Sequence, residues 1–131
     1  MVLAVIDITF SNKTMKKDTY EIRLRSGELV LISAWKFEIF GLGTFIVHRD
    51  VEYPNRWTVS EPMTGCVAVR MRDTRKAAIE AAYADFHLKP SHSKEDYYSL
   101  VQLTLEKYKD SPTKYWKEMQ DADRCNETEA G

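Results

Sequence analysis

Hydrophobic and polar positions alternate along the first seventy residues, and a helical spacing takes over after them. Val2 to Phe10 places Val2, Ala4, Ile6, Ile8 and Phe10 on one face of a strand, and the polar stretch Ser11 to Asp18 predicts a loop. Thr19 to Arg25 sends Tyr20, Ile22 and Leu24 one way and Thr19, Glu21, Arg23 and Arg25 the other, as a half-buried antiparallel strand requires. Ser26-Gly27 signals a turn before the strand Glu28 to Ser33. Ala34 to Phe40, with Trp35, Phe37 and Ile39 alternating, is either its continuation or a new strand after a bend. Gly41-Leu42-Gly43, Tyr53-Pro54-Asn55 and Glu61 to Gly65 are turn signals. They separate strands at Thr44 to Arg49, Arg56 to Ser60 and Cys66 to Met71.

Beyond Met71 the period changes. Asp73 or Thr74 can cap a helix in which Ile79, Ala82, Tyr83 and Phe86 form one stripe, with Ala77, Ala78 and Ala81 small enough for close packing on a sheet. Pro90 ends it. Ser93 to Asp96 resembles a capping box and opens a helix to about Lys109, striped by Tyr97, Leu100, Val101, Thr104 and Tyr108. Ser111-Pro112 predicts a third, short helix with Tyr115, Trp116 and Met119 as its apolar contacts. Strands first and helices after them predict an α+β domain: an antiparallel meander of five to six strands, then three helices, the first packed on the sheet. Residues 1–120 are expected to form that single domain and 121–131 a polar, flexible tail.

Composition narrows the function classes. With 131 residues, 44% of them apolar and 30% charged, the chain can bury one core and is not disordered as a whole. A formal net charge of -1 removes the footprint of a general nucleic-acid binder but permits a local basic patch. Cys66 and Cys125, the only cysteines, are read as a buried small hydrophobe and a tail thiol. MVLAVIDITF has no basic leader and is too short to span a membrane, so no membrane partner is expected and a cytoplasmic location is.

Candidate chemistry concentrates in one place. Arg70, Arg72, Arg75 and Lys76 surround the start of the first helix, where free backbone N–H groups already favour an anion. Arg70 and Arg72, two apart on a strand, are expected to share a sheet face. The cluster is either a solvated surface or a site for an anion or acidic partner. Tyr97-Tyr98 and Tyr115-Trp116 are adjacent pairs whose members cannot all face inward, which makes Tyr98, Tyr115 and Trp116 interface candidates for a foreign partner or a homo-oligomer. His48, His87 and His92 are the residues able to do acid–base work near neutral pH. None is spaced for a metal, and no nucleophile elbow, phosphate loop or dinucleotide fingerprint accompanies them. No catalytic residue, cofactor or metal is assigned.

Residues 44–86 resemble a design common in short phage and mobile-element α+β proteins. The marks are the strand ending near His48, Trp57-Thr58-Val59-Ser60, Pro62-x-Thr64-Gly65, a strand, and the helix opening at Thr74-Arg75-Lys76-Ala77-Ala78-Ile79. More distantly, Gly65-Cys66 and Thr74 with Ala77-Ala78-Ile79 are similar to HicB-type antitoxins, although Arg75 and Lys76 replace the acidic residues usual there. The resemblance implies phage-like ancestry more than any activity. Taken with the compact chain, the lack of catalytic motifs and the exposed aromatic candidates, it leads to the expectation of a non-catalytic binding protein: an anti-CRISPR-like inhibitor that contacts a bacterial defence nuclease or effector complex. The alternatives are a protein that sequesters a phosphate or nucleotide signal through the basic cluster, and a HicB-like antitoxin.

Overall fold

The computed structural model describes residues 15–39, 41–87 and 94–130. The strand expected from Val2 to Phe10, the helix stop at Pro90, the capping motif opening at Ser93, and His92 lie outside these residues. Among the described residues, five strands come first: β1 (Lys16–Arg23), β2 (Leu29–Ile39), β3 (Gly43–Arg49), β4 (Trp57–Ser60) and β5 (Val67–Arg72). Three helices follow, α1 (Arg75–His87), α2 (Lys94–Lys107) and α3 (Lys114–Ala130). The strands pair antiparallel in chain order, so the domain is an α+β meander with the helices last. Among the described residues, no helix is long and apolar enough to cross a membrane.

The turns sit where their residues require. Gly27 closes the first hairpin with φ +92°, and Leu42 and Arg56 donate back across the next two. Ala34 to Ile39 continues β2 without a break. β1 begins at Lys16, so its first three residues replace the end of the expected loop, held opposite Lys36, Trp35 and Ala34.

The sheet has two unlike faces. On one, Phe37, Phe45, Val47, Val59 and Val69 pack beneath Ala78, Ile79, Ala82 and Tyr83 of α1. The alanines at 78 and 82, both fully buried, let the helix lie close, and the Tyr83 hydroxyl donates to the Glu38 carbonyl at 2.8 Å. Thr74 is the cap: its Oγ1 accepts from the Ala77 N–H at 3.0 Å. On the other face Tyr20, Ile22, Ala34 and Ile46 form a smaller cluster, closed by Tyr115 of α3. α3 starts at Lys114 rather than at Pro112, because Thr113 supplies the cap to the Trp116 N–H at 3.1 Å. It is 17 residues long rather than short.

Gly65 rolls this sheet. The Arg23 N–H donates to the Gly65 carbonyl at 2.7 Å, joining the first strand to the turn between the last two. A Cβ on Gly65 would stand 3.0 Å from the Arg23 nitrogen and 3.2 Å from the Glu21 oxygen, and the residue has φ +78°. Only glycine meets both demands.

Arg23 departs from the expected outward row, being only 6% exposed. Its guanidinium donates to the Thr64, Gly27 and Ser111 carbonyls at 3.1, 2.9 and 2.6 Å and lies 3.9 Å above the Tyr108 ring. Strand alternation assigns the face correctly, but the turn at 61–66 and the α2–α3 connection cover that end of it. Leu100 departs in the other direction and is 63% exposed. α2 reaches the core through Val101 and through Tyr97, whose ring centroid lies 5.7 Å from that of Phe45, which leaves Leu100 on the rim.

Candidate functional site

The site is built from cross-strand rows. Register places Arg49 opposite Trp57 and Trp57 opposite Arg72, so three neighbouring strands present cation, indole, cation side by side. In the next row along the sheet, Lys17 stands opposite Trp35. The two indoles meet at 5.7 Å between centroids, and both are half-buried against the core under α1. Arg49 lies 4.5 Å over Trp57, while Lys17 and Arg75 each lie 5.1 Å from Trp35. Arg75 is the first residue of α1, so the helix start and the sheet rows converge on one corner.

Positive charge accumulates there unopposed. The first turn of α1 holds no acidic residue, and Asp73 is engaged by Arg56. Among the described residues, Lys17, Arg49, Arg70, Arg72, Arg75 and Lys76 make no salt bridge. The exposed N–H groups of the helix start add to their field.

The four basic residues expected to act together are divided. Arg72 and Arg75 belong to the corner, and Lys76 is exposed beside them. Arg70 does not share a face with Arg72. Met71 takes φ +52°, and the β4–β5 register shifts between Trp57 and Val59. Arg72 then aligns with Trp57, whereas Arg70 lines a cavity of about 300 Å³ with Arg25, His48, Asp50 and Thr58.

That cavity is backed by a buried polar relay. His48 is 1% exposed; its Nδ1 donates to the Arg49 carbonyl at 2.7 Å, which leaves Nε2 to accept from the Ser60 hydroxyl at 2.8 Å. Burial pushes the imidazole below its ordinary value. The Ser60–His48 bond has the form of an activated nucleophile, but Ser60 is fully buried and the pair is closed to any reagent. Burial acts to raise Asp50, but hydrogen bonds from Thr58, Tyr53 and Glu52, aided by the charge of Arg70, hold it below the usual carboxylate range.

A second, more apolar groove of about 530 Å³ runs between the turn at 61–66, β5 and α2, and includes half-buried Cys66 and Tyr97 and buried Val101. Glu61 sits in its wall, accepting from the Met63 and Thr64 N–H groups at 2.5 and 2.9 Å, and burial pushes its carboxyl up despite them. Burial, with the Glu61 charge second, also raises the Tyr97 phenol.

Among the interface candidates, Tyr98 is exposed, its hydroxyl 3.3 Å from the Gly41 carbonyl. Tyr115 and Trp116 are half-buried, Tyr115 lying 6.0 Å from Tyr20. Among the described residues, no group of three or more His, Cys, Asp or Glu can hold a metal ion. Lys17, Trp35, Arg49 and Trp57 were not singled out as site residues. They come together through the pairing of four strands, for which the local pattern holds no signal. In comparison with known proteins, the chain matches no family model, no curated protein and no solved structure.

Proposed function

We propose that the chain is a non-catalytic binding protein whose corner around Trp35 and Trp57 engages a polyanion, a single nucleic-acid strand being the form that uses all of it. One observation carries this reading: exposed and half-buried cations that make no salt bridge among the described residues surround two adjacent indoles. Guanidinium groups suit phosphate geometry, and bases stack on indoles wherever a cation yields the ring. A small anion would use the charges and leave the rings idle.

The anti-defence reading takes a definite form on this surface. A nuclease channel is itself lined with cations, and a cationic corner does not fit into one. An inhibitor built this way contacts the nucleic-acid component of an effector complex or an acidic face of its protein. The alternative, a sequestered nucleotide signal, draws support from the 300 Å³ cavity flanked by Arg25 and Arg70.

Tryptophan fluorescence titrated with a single-stranded oligonucleotide tests the main reading. Quenching is expected, with affinity falling as salt rises in proportion to the phosphates contacted. Arg72→Glu with Arg75→Glu is expected to weaken binding by about tenfold or more, since each stacked base and each phosphate contact contributes of order 1–3 kcal/mol. Binding unchanged by that pair of substitutions would remove the corner as the site. Protein recovered equally from nuclease-treated and untreated lysate, with no competition by oligonucleotide, would favour the protein partner.

A further inference from the structure

β5 ends the sheet, and among the described residues no strand pairs with its outer edge. An edge of this kind presents main-chain N–H and C=O groups to any extended chain that can reach them. Here the edge lies in a trough. Cys66, Val67 and Ala68 line the 530 Å³ groove against Tyr97, Leu100 and Val101 of α2. The same three residues, now with Arg70, line a cavity of about 460 Å³ across from Leu24, Arg25 and Tyr108. The 300 Å³ cavity reaches Val67 and Arg70 from the other side of the sheet. The three cavities share lining residues along the strand, apolar at the Cys66 end and, at the Arg70 end, lined by Arg25 and Arg70 together with Asp50 and Glu52.

We propose that the outer edge of β5 is a strand-addition site for an extended segment of a partner protein, aliphatic at one end and acidic at the other. Main-chain hydrogen bonds would supply affinity and the two ends of the trough the choice of sequence. Charge identifies the occupant. β5 reads VAVRMR, with no acidic residue. A second copy pairing edge to edge would bring Arg70 and Arg25 of each chain towards those of the other, and like charges brought together repel. Arg25 lines the same trough and makes no salt bridge among the described residues. Asp50 shares the 300 Å³ cavity with Arg70 and feels its charge, but its oxygens accept from Thr58 and two backbone N–H groups and form no salt bridge with Arg70. The same arginines that exclude a copy of the chain thus select an acidic strand. This site is independent of the Trp35–Trp57 corner and stands whether or not that corner binds nucleic acid.

The probe is a short labelled peptide of valine and threonine with two glutamates at one end, beside its counterpart with lysines in their place. The full chain is expected to bind the acidic peptide and not the basic one. Amide deuterium exchange is expected to slow across 67–70. Arg70→Glu is expected to weaken the acidic peptide by about tenfold or more, and Arg70→Glu with Arg25→Glu to bind the lysine peptide instead. Arg70→Gln, which keeps an uncharged polar tip on the exposed position, gives an intermediate loss if charge is the cause. Three results would overturn the proposal: no charge-dependent binding at millimolar peptide, loss of binding with Arg75→Glu but not with Arg70→Glu, or slowed exchange at 67–70 that follows protein concentration alone and marks a dimer.

Discussion

His48 shows how a single side chain sets the response of this protein to acid. Both ring nitrogens are occupied, one donating to a carbonyl and the other accepting from Ser60, and the side chain is buried. A second ring proton would force the Ser60 bond to reverse, Nε2 becoming the donor, and would bury a charge. Burial accordingly lowers the folded-state value below the ordinary 6.5. The unfolded chain therefore binds the proton first, so stability is intact above about pH 6.5 and falls as the pH drops towards the depressed value. Asp50, also lowered, adds its own loss at more acid pH, while Glu61, raised by burial, works in the opposite sense. Denaturant melts from pH 7 to 5 are expected to show the decline. His48→Gln, which can keep a donor and an acceptor but cannot titrate there, is expected to flatten it in that window.

Arg23 belongs to the scale of elements, because one guanidinium holds β1, the turn at 61–66 and the α2–α3 connection together. Arg23→Met fills similar space but strands three carbonyls, and by charge-assisted hydrogen bonding it is expected to cost about 2–4 kcal/mol in urea unfolding. Arg23→Lys is expected to recover only part, since a point charge cannot serve three directions at once. The same residue explains what the sequence could and could not convey. The strands, their turns and α1 were legible, because period, turn residues and cap act between neighbours: Gly27 closes its hairpin and Thr74 caps its helix as their chemistry demands. Alternation places Arg23 in the polar row of β1, but it states only which face a residue occupies and is silent on what later covers that face. Leu100 is the converse case. A helical stripe marks an apolar side, but α2 leans on the core through Tyr97 and Val101, and part of the stripe stays uncovered.

At the scale of the whole molecule, a net charge of -1 conceals a separation of charge. The basic corner exists because β5 runs directly into α1, which brings Arg72 and Arg75 together and made that half of the site legible. Lys17, Trp35, Arg49 and Trp57 arrive from separate strands and needed the register of the whole sheet. The link from Arg23 to Gly65 governs something else, the order in which the molecule assembles. Among the described residues, every strand pairing joins neighbours in the chain and can form by short-range closure, whereas this main-chain bond joins β1 to the turn before β5 and waits for the rest. Gly65→Ala adds a left-handed strain of about 1–2 kcal/mol to a clash with the β1 backbone. If the bond forms after the rate-limiting step, stopped-flow chevrons will show a folding limb almost unmoved and unfolding faster by about tenfold. The glycine would then act as a latch, contributing little to how fast the protein folds and much to how long it stays folded.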